Sequence, residues 1–353
     1  VRCPTDWRNP ANLFLQEKSR ANFIFLHFAI WPNFLGPTST IALVPTQPLD
    51  YGGRYPGRSG GFMFTVSILA APTRANLRPE PIDALRARWG GGPTIWLAND
   101  IAAEFPVESQ PADFWHVWEE LQKQGLDLAI QPSLGRQKAI LIADMDSTMI
   151  EQECIDELAD FAGVGPRVAD ITARAMNGEL NFHEALIERV GLLSGLNESA
   201  IDQVLQSRIT LAPGGRELVA TMRGQGAYAA LVSGGFTVFT DVIAQKLGFD
   251  EHRANILLSD DGVLTGHVGL PVLGREAKVE ALREIAQRFG VTPAEAIAVG
   301  DGANDLGMIQ LAGAGVALHA KPSVAAQAQL RINHGDLTAL LYLQGYGRDE
   351  FVN

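Results

Sequence analysis

Ile140-Leu141-Ile142-Ala143-Asp144-Met145-Asp146-Ser147-Thr148 decides how this chain is read. Four consecutive apolar residues fit a short strand covered on both faces, and such strands belong to parallel sheets with helices on either side. Two aspartates spaced by two then follow, at the carboxyl end of the strand, where open α/β sheets bind ligands. Two carboxylates this close are not both comfortable as anions unless a cation or unequal surroundings separate their pKa values. A solvated strand-end turn uses the same residue types, so the pair alone leaves both readings open.

The pattern recurs. Ala296-Ile297-Ala298-Val299-Gly300-Asp301-Gly302-Ala303-Asn304-Asp305 runs from an apolar strand into a glycine-flanked acid, then into Asn-Asp at the start of a helix. Gly300 and Gly302 permit a tight backbone that bulkier residues would block. A helix N-cap role for Asp305 explains one acid but not the cluster. Hard divalent cations such as Mg²⁺ take one or two carboxylates together with water and phosphate oxygens, and two acidic strand ends supply that set. Leu231-Val232-Ser233-Gly234-Gly235 adds a hydroxyl and backbone N–H groups where a strand enters a helix, a favourable phosphate position, although Ser-Gly-Gly is also an ordinary turn. Lys278, between Glu276 and Glu280 in a helical stretch over 275–289, reads by itself as a surface lysine.

Around these motifs, residues 138–335 alternate strands and helices, the mark of an open α/β sheet. Strands are expected at 139–143, 229–232, 296–299 and 315–318, with a hairpin arm at 263–268. A helical insertion over about 154–207 separates the first two, too long for an ordinary crossover and of the size of a lid. Residues 62–132 order as βαββαβ, the ferredoxin-like arrangement, for which structural or dimerising support is the default role and amino-acid sensing the alternative. Residues 132–136 serve as a short linker and 336–353 as a C-terminal tail. The first 61 residues hold seven of the 19 prolines and a charge of +3 on a chain of −12. They show no sustained period and predict a poorly ordered extension, with a targeting or docking arm as the other reading.

Composition narrows the function classes. With 353 residues, 46% hydrophobic, the chain has the apolar surface for two or three compact units. Its acidic balance and lack of a basic-aromatic patch disfavour nucleic acid and anionic membrane as partners. Cys3 and Cys154 are far apart and without metal-ligand spacing, which excludes a disulfide framework or a thiolate zinc site and fits a reduced, cytoplasmic setting. The apolar run at 23–31 is too short to span a bilayer.

In this order and on these strand ends, the four segments resemble the haloacid dehalogenase superfamily over about 138–335. The Asp-Met-Asp-Ser-Thr version, with its helical insertion, is similar to the bacterial phosphoserine phosphatase family. The resemblance implies a Rossmann-like core with a small helical cap and Mg²⁺-dependent hydrolysis of O-phosphoserine. By that resemblance Asp144 is the nucleophile and Asp146 the general acid and base. Asp144, the backbone carbonyl of Asp146 and Asp301 hold Mg²⁺, with Asn304 and Asp305 supporting. Ser233, Gly234 and Lys278 bind the phosphoryl oxygens. Glu153 meets the substrate ammonium, Arg189 its carboxylate, and Met176 and Phe182 close over it. From pattern alone, Arg189 on the apolar stripe of a helix at 181–193 reads equally as half of a structural ion pair. Phosphoryl transfer to another hydroxyl acceptor such as homoserine, an amino-acid-responsive regulator, and a homodimer formed through the N-terminal domain stay open.

Overall fold

The computed structural model describes residues 63–176 and 179–352. Expectations for the first 61 residues lie outside the described residues.

Residues 63–132 form β1 (Phe64–Ala70), α1 (Pro79–Arg88), β2 (Ile95–Ala98), β3 (Ala102–Val107), α2 (Phe114–Lys123) and β4 (Leu126–Pro132). The strands make one antiparallel sheet in the order β2-β3-β1-β4. One face, with Val66, Ile68 and Phe105, packs against Leu85, Phe114 and Val117 of the two helices. Leu69, Ala102 and Ala129 turn the other way and join the apolar core of the following segment. This is the period-two alternation of a strand with both sides covered.

The α/β segment begins at β5 (Ile140–Ala143). Four helices follow, α3 (Cys154–Phe161), α4 (Gly165–Met176), α5 (Phe182–Gly191) and α6 (Ser199–Ser207). Then come α7 (Gly215–Gly224), β6 (Tyr228–Phe236), α8 (Thr237–Leu247), β7 (Glu251–Asn255), β8 (Leu257–Asp260), β9 (Val263–Val268) and α9 (Arg275–Arg288). The chain ends through β10 (Ala296–Gly300), α10 (Leu306–Leu311), β11 (Ala314–Leu318), α11 (Pro322–Ala325), β12 (Leu330–Ile332) and α12 (Ala339–Leu343). Six strands form a parallel sheet in the order β12-β11-β10-β5-β6-β7, and β8 pairs with β9 as a separate hairpin. In β5, Leu141 and Ala143 face the core shared with α7, α8 and α12, whereas Ile140 and Ile142 face α9 and α10. A continuous apolar run is what a strand buried on both faces requires. The sheet order brings β5 between β10 and β6, so the Asp144, Asp301 and Ser233 strand ends are neighbours.

One expectation is corrected, and two alternative readings of isolated motifs are set aside. Residues 336–353 are not a tail: Leu340, Leu341, Tyr342 and Leu343 are buried in the core that also contains Leu69 and Ala129. The run is one turn of helix, too short for its apolar face to declare itself as a period. Ser233-Gly234-Gly235 is not a turn, since β6 continues through it to Phe236. Lys278 is not a surface lysine but 0% exposed.

Buried polar contacts fasten the antiparallel sheet to the rest. The Asp127 carboxylate accepts the backbone N–H groups of Asn333, His334 and Gly335 at 2.8–3.0 Å. Arg136 pairs with Glu104 and donates from Nε to the carbonyl oxygen of Leu343 at 3.0 Å. Groups of this kind are tolerated inside because their hydrogen bonds are made. Among the described residues, no helix is long and apolar enough to cross a membrane.

Candidate active site

A cavity of about 850 Å³ opens at the carboxyl ends of β5, β6 and β10. Asp144, Asp146, Ser233, Gly234, Asp301 and Asn304 line it from the sheet side. Glu153, just before α3, and Asp156, Thr172, Phe182 and Arg189 of the helices of 154–207 line the other side.

Behind Asp144, and not itself lining the cavity, Lys278 donates to Asp144 Oδ1 at 2.7 Å and to Asp305 Oδ1 at 2.6 Å. The Met145 N–H also donates to Asp144 Oδ1, at 2.8 Å. Asp305 Oδ2 accepts the Gly302 N–H at 2.9 Å. Asp305 therefore stands at the start of α10 without capping it, its carboxylate spent on Lys278 and the glycine loop. The glycines leave room for the side chains that follow them. A Cβ at Gly300 would lie 2.4 Å from the Asp305 carboxyl carbon, and one at Gly302 would lie 2.3 Å from Asn304 Oδ1.

Carboxylate oxygens of Asp144, Asp301 and Asp305 lie within 4.8 Å of one another, with Lys278 the buried ammonium among them. Burial, followed by repulsion from Asp305, pushes Asp144 well above the usual carboxylate range despite Lys278. Burial and the charges of Asp305 and Glu153 push Asp301 up to about 7, against a hydrogen bond from Thr148. Lys278 is held charged: the two aspartates outweigh the burial that would lower it. An all-oxygen donor set with more negative than positive charge fits a hard divalent cation. Because both oxygens of Asp305 are engaged, its fit is that of a supporting group.

Asp146 stands outside that cluster. Its Oδ1 accepts the Cys154 N–H at 2.9 Å and its Oδ2 accepts the Ser233 hydroxyl at 3.2 Å. Burial, then the nearby Glu153 charge, lifts it to about 6, against the hydrogen bonds from Cys154 and Ser233. Such a group can exchange a proton near neutral pH.

In the helical segment, Asn181 and Glu184 form a reciprocal capping box that starts α5. Ala185, Leu186 and Val190 of that helix are buried, while Phe182 is 37% exposed at the cavity. Its ring lies against both Gly234 and Gly274. Arg189 forms no ion pair with any described residue, and its Nε donates only to the carbonyl of Ala185, at 3.3 Å. Burial lowers its pKa more than Asp156, Glu153 and Asp146 raise it. The structural ion pair is thus not made. Glu153 Oε1 accepts the Ser147 hydroxyl at 2.7 Å, from a residue whose φ of 53° lies in the left-handed region. Met176 ends α4, and its side chain lies outside the described residues.

Sequence reasoning passed over several residues here. Thr148, buried, donates to Asp301 Oδ1 at 3.3 Å; its place in the Asp-x-Asp-x-Thr motif was the available signal. Thr172, Arg275 and Lys321 line the cavity but had no local pattern to mark them.

Comparison with known proteins agrees with this geometry. The model of the haloacid dehalogenase-like hydrolase family matches residues 141–310. A phosphoserine phosphatase of Archaeoglobus fulgidus is 41% identical over 68% of this chain and 71% of its own length. One from Polaromonas is 47% identical over 60% of this chain and 92% of its own length. Among solved structures, a substrate-bound phosphoserine phosphatase complex matches with TM-score 0.55 at 40% identity, covering 58% of this chain and 98% of that one. A haloacid dehalogenase family hydrolase from Salmonella enterica matches with TM-score 0.72 at 29% identity, covering 80% and 98%. With its acids and glycine loops set on these strand ends and its lysine reaching Asp144 from α9, the chain belongs to the phosphoserine phosphatases of the haloacid dehalogenase-like hydrolases.

Proposed function

We propose that this protein hydrolyses O-phosphoserine to serine and phosphate, the closing step of serine biosynthesis. One observation carries the reading: the cavity that holds the Asp144–Asp146 pair also holds Arg189, a half-buried guanidinium without an ion-pair partner among the described residues. Phosphoryl chemistry and a receptor for a carboxylate thus share one chamber, and the guanidinium fork suits a carboxylate.

Asp144 attacks phosphorus in line. The bond from phosphorus to the seryl oxygen breaks as the aspartyl-phosphate forms, splitting one hard hydrolysis into two steps. Asp146 gives its proton to the departing seryl oxygen and then takes one from the water that hydrolyses the acyl-phosphate. Ser233, the Gly234 N–H and Lys278 hold the phosphoryl oxygens, with Asn304 beside them. Asp144, the backbone carbonyl of Asp146 and Asp301, with Asp305 in support, would hold Mg²⁺, which would neutralise charge on the phosphoryl oxygens. Glu153 receives the ammonium, Arg189 the carboxylate, and Met176 and Phe182 exclude water.

We read the helices of 154–207 as a cap over the site and residues 62–132 as a ferredoxin-like module. The cavity lining from α3, α4 and α5 supports the first, and the antiparallel order β2-β3-β1-β4 supports the second. Replacing Arg189 by Ala tests the function. KM for phosphoserine should rise by about tenfold or more while KM for phosphoethanolamine, which lacks the carboxylate, hardly moves. Equal effects on both esters would refute the assignment.

A further inference from the structure

Asp144, Asp146, Glu153, Asp156 and Asp301 all line the cavity, in a chain whose net charge is −12. A phosphomonoester brings about two negative charges of its own at its phosphate. Like charges repel across a Debye length, so these acids by themselves oppose the approach of such a substrate.

Three cations line the same cavity, and Arg189 is already assigned to the substrate carboxylate. The other two, Arg275 and Lys321, are exposed. Arg275 opens α9, and its Nε lies 3.5 Å from where a Cβ on Gly307 would stand, which sets the side chain beside the first turn of α10. Lys321 follows β11 and directly precedes α11, and β11 is the sheet neighbour of β10, the strand that ends in Asp301. Neither side chain makes an ion pair or a hydrogen bond with a described residue. Glu276, next to Arg275, does not line the cavity. A charge on a lining residue lies within one side chain's length of the cavity, less than the Debye length of about 8 Å at physiological ionic strength. It therefore acts on an entering anion through its field and needs no bond to do so.

Resting on the function proposed above, we infer that Arg275 and Lys321 form a cationic entrance that draws the phosphomonoester dianion into an acidic cavity. Neither residue touches the reacting atoms. Their effect grows with the net charge of the ligand and fades as salt screens it.

The double variant R275Q/K321Q removes two exposed charges and breaks no ion pair or side-chain hydrogen bond among the described residues. At saturating Mg²⁺ and about 10 mM ionic strength, where the Debye length is about 30 Å, KM for phosphoserine should rise about fivefold, with kcat within about twofold of wild type. At about 1 M, where that length is about 3 Å, the two proteins should agree within about twofold. Phosphoethanolamine, with one net negative charge fewer, should show a smaller rise, and inhibition by serine, which is net neutral, should not change. The control K246Q/R283Q makes the same change in net charge at exposed positions outside the cavity lining and should leave KM near the wild-type value. A KM unmoved at low salt, a rise that persists at high salt, an equal loss of serine inhibition, or an equal rise in the control would each overturn the inference. Wild-type turnover is measured alongside. No phosphate release from phosphoserine by the wild type would sink the function itself, and weaker binding of inorganic phosphate to R275Q/K321Q by calorimetry at low salt would then still support the entrance. An active wild type with an indifferent R275Q/K321Q sinks only the entrance.

Discussion

The backbone N–H of Cys154 donates to the carboxylate of Asp146 at 2.9 Å. An acid on the loop after β5 thereby caps the first helix of the insertion, whose own N-cap residue, Glu153, makes no such side-chain bond. The second oxygen of Asp146 is held by Ser233 on β6. The group proposed to move the proton is therefore oriented by two elements remote from each other in sequence, and preorganisation of this kind lowers barriers without motion at the moment of reaction.

This dual role separates two substitutions. D146N keeps an oxygen to accept the Cys154 N–H but has no proton to exchange, so phosphate release should fall about a hundredfold or more with little loss of stability. D146A should lose the same activity and about 1 kcal/mol of stability in addition, the usual value of a helix cap. Steady-state phosphate release and urea denaturation distinguish them, and equal destabilisation would show that the cap bond contributes nothing.

Lys278 is buried between two carboxylates, and removing it leaves their charges uncompensated. In the presence of a chelator, K278M should lose about 3–5 kcal/mol of stability, the scale for breaking a buried ion pair from one side. Denaturation curves with and without added Mg²⁺ should show part of the loss recovered by the metal. A K278M protein as stable as wild type under chelation would contradict the ion pairs seen here.

The acid cluster should bind Mg²⁺ to the folded state. At a hundred times its dissociation constant the ion should stabilise the protein by about 2.7 kcal/mol, and chelation should abolish phosphate release. D301N should lose most of that stabilisation. Thermal melts across a Mg²⁺ titration read this directly, and a melting temperature indifferent to the ion would exclude the site.

The Phe182 ring closes onto two glycines. A Cβ on Gly274 would stand 3.2 Å from the ring, and one on Gly234 would stand 3.1 Å from it. G274A should push the ring away and raise KM for phosphoserine. In an F182L background the same substitution should matter little, giving a coupling of about 1 kcal/mol in a double-mutant cycle. Additive effects would mean that Gly274 is not the seat of the ring.

Away from the site, Glu251 accepts from Tyr228 at 2.8 Å and from the Nε of Arg253 at 3.0 Å, and it pairs with Arg288. Burial alone would raise its pKa, but these bonds and charges hold it below the ordinary 4.5. A carboxyl depressed by folding contributes stability that is fully present above its unfolded value and is lost as pH falls through the folded one. The stability difference between wild type and E251Q should therefore be largest near neutrality and shrink below about pH 4.5. Melting temperatures of the two proteins across that range test the sign.

The two acidic strand ends were legible because each is local. An apolar run followed by Asp-x-Asp, or by Gly-Asp-Gly with Asn-Asp, fixes both the strand and the place of its acids at a sheet's carboxyl edge. The capping box of α5 was legible for the same reason, lying within four consecutive residues. What the chain itself does not display is pairing between distant segments. β7 is an edge strand of mostly polar residues, Glu251–Asn255, without a hydrophobic period, and α12 is a single buried turn. Only the tertiary structure decided that Lys278 is buried between Asp144 and Asp305, that Asp127 anchors the backbone at 333–335, and that Arg189 forms no ion pair while Thr172 lacks a hydrogen-bond partner among the described residues. Local patterns encode which way a side chain points along its own element. Burial and partnership depend on what folding brings to it from elsewhere.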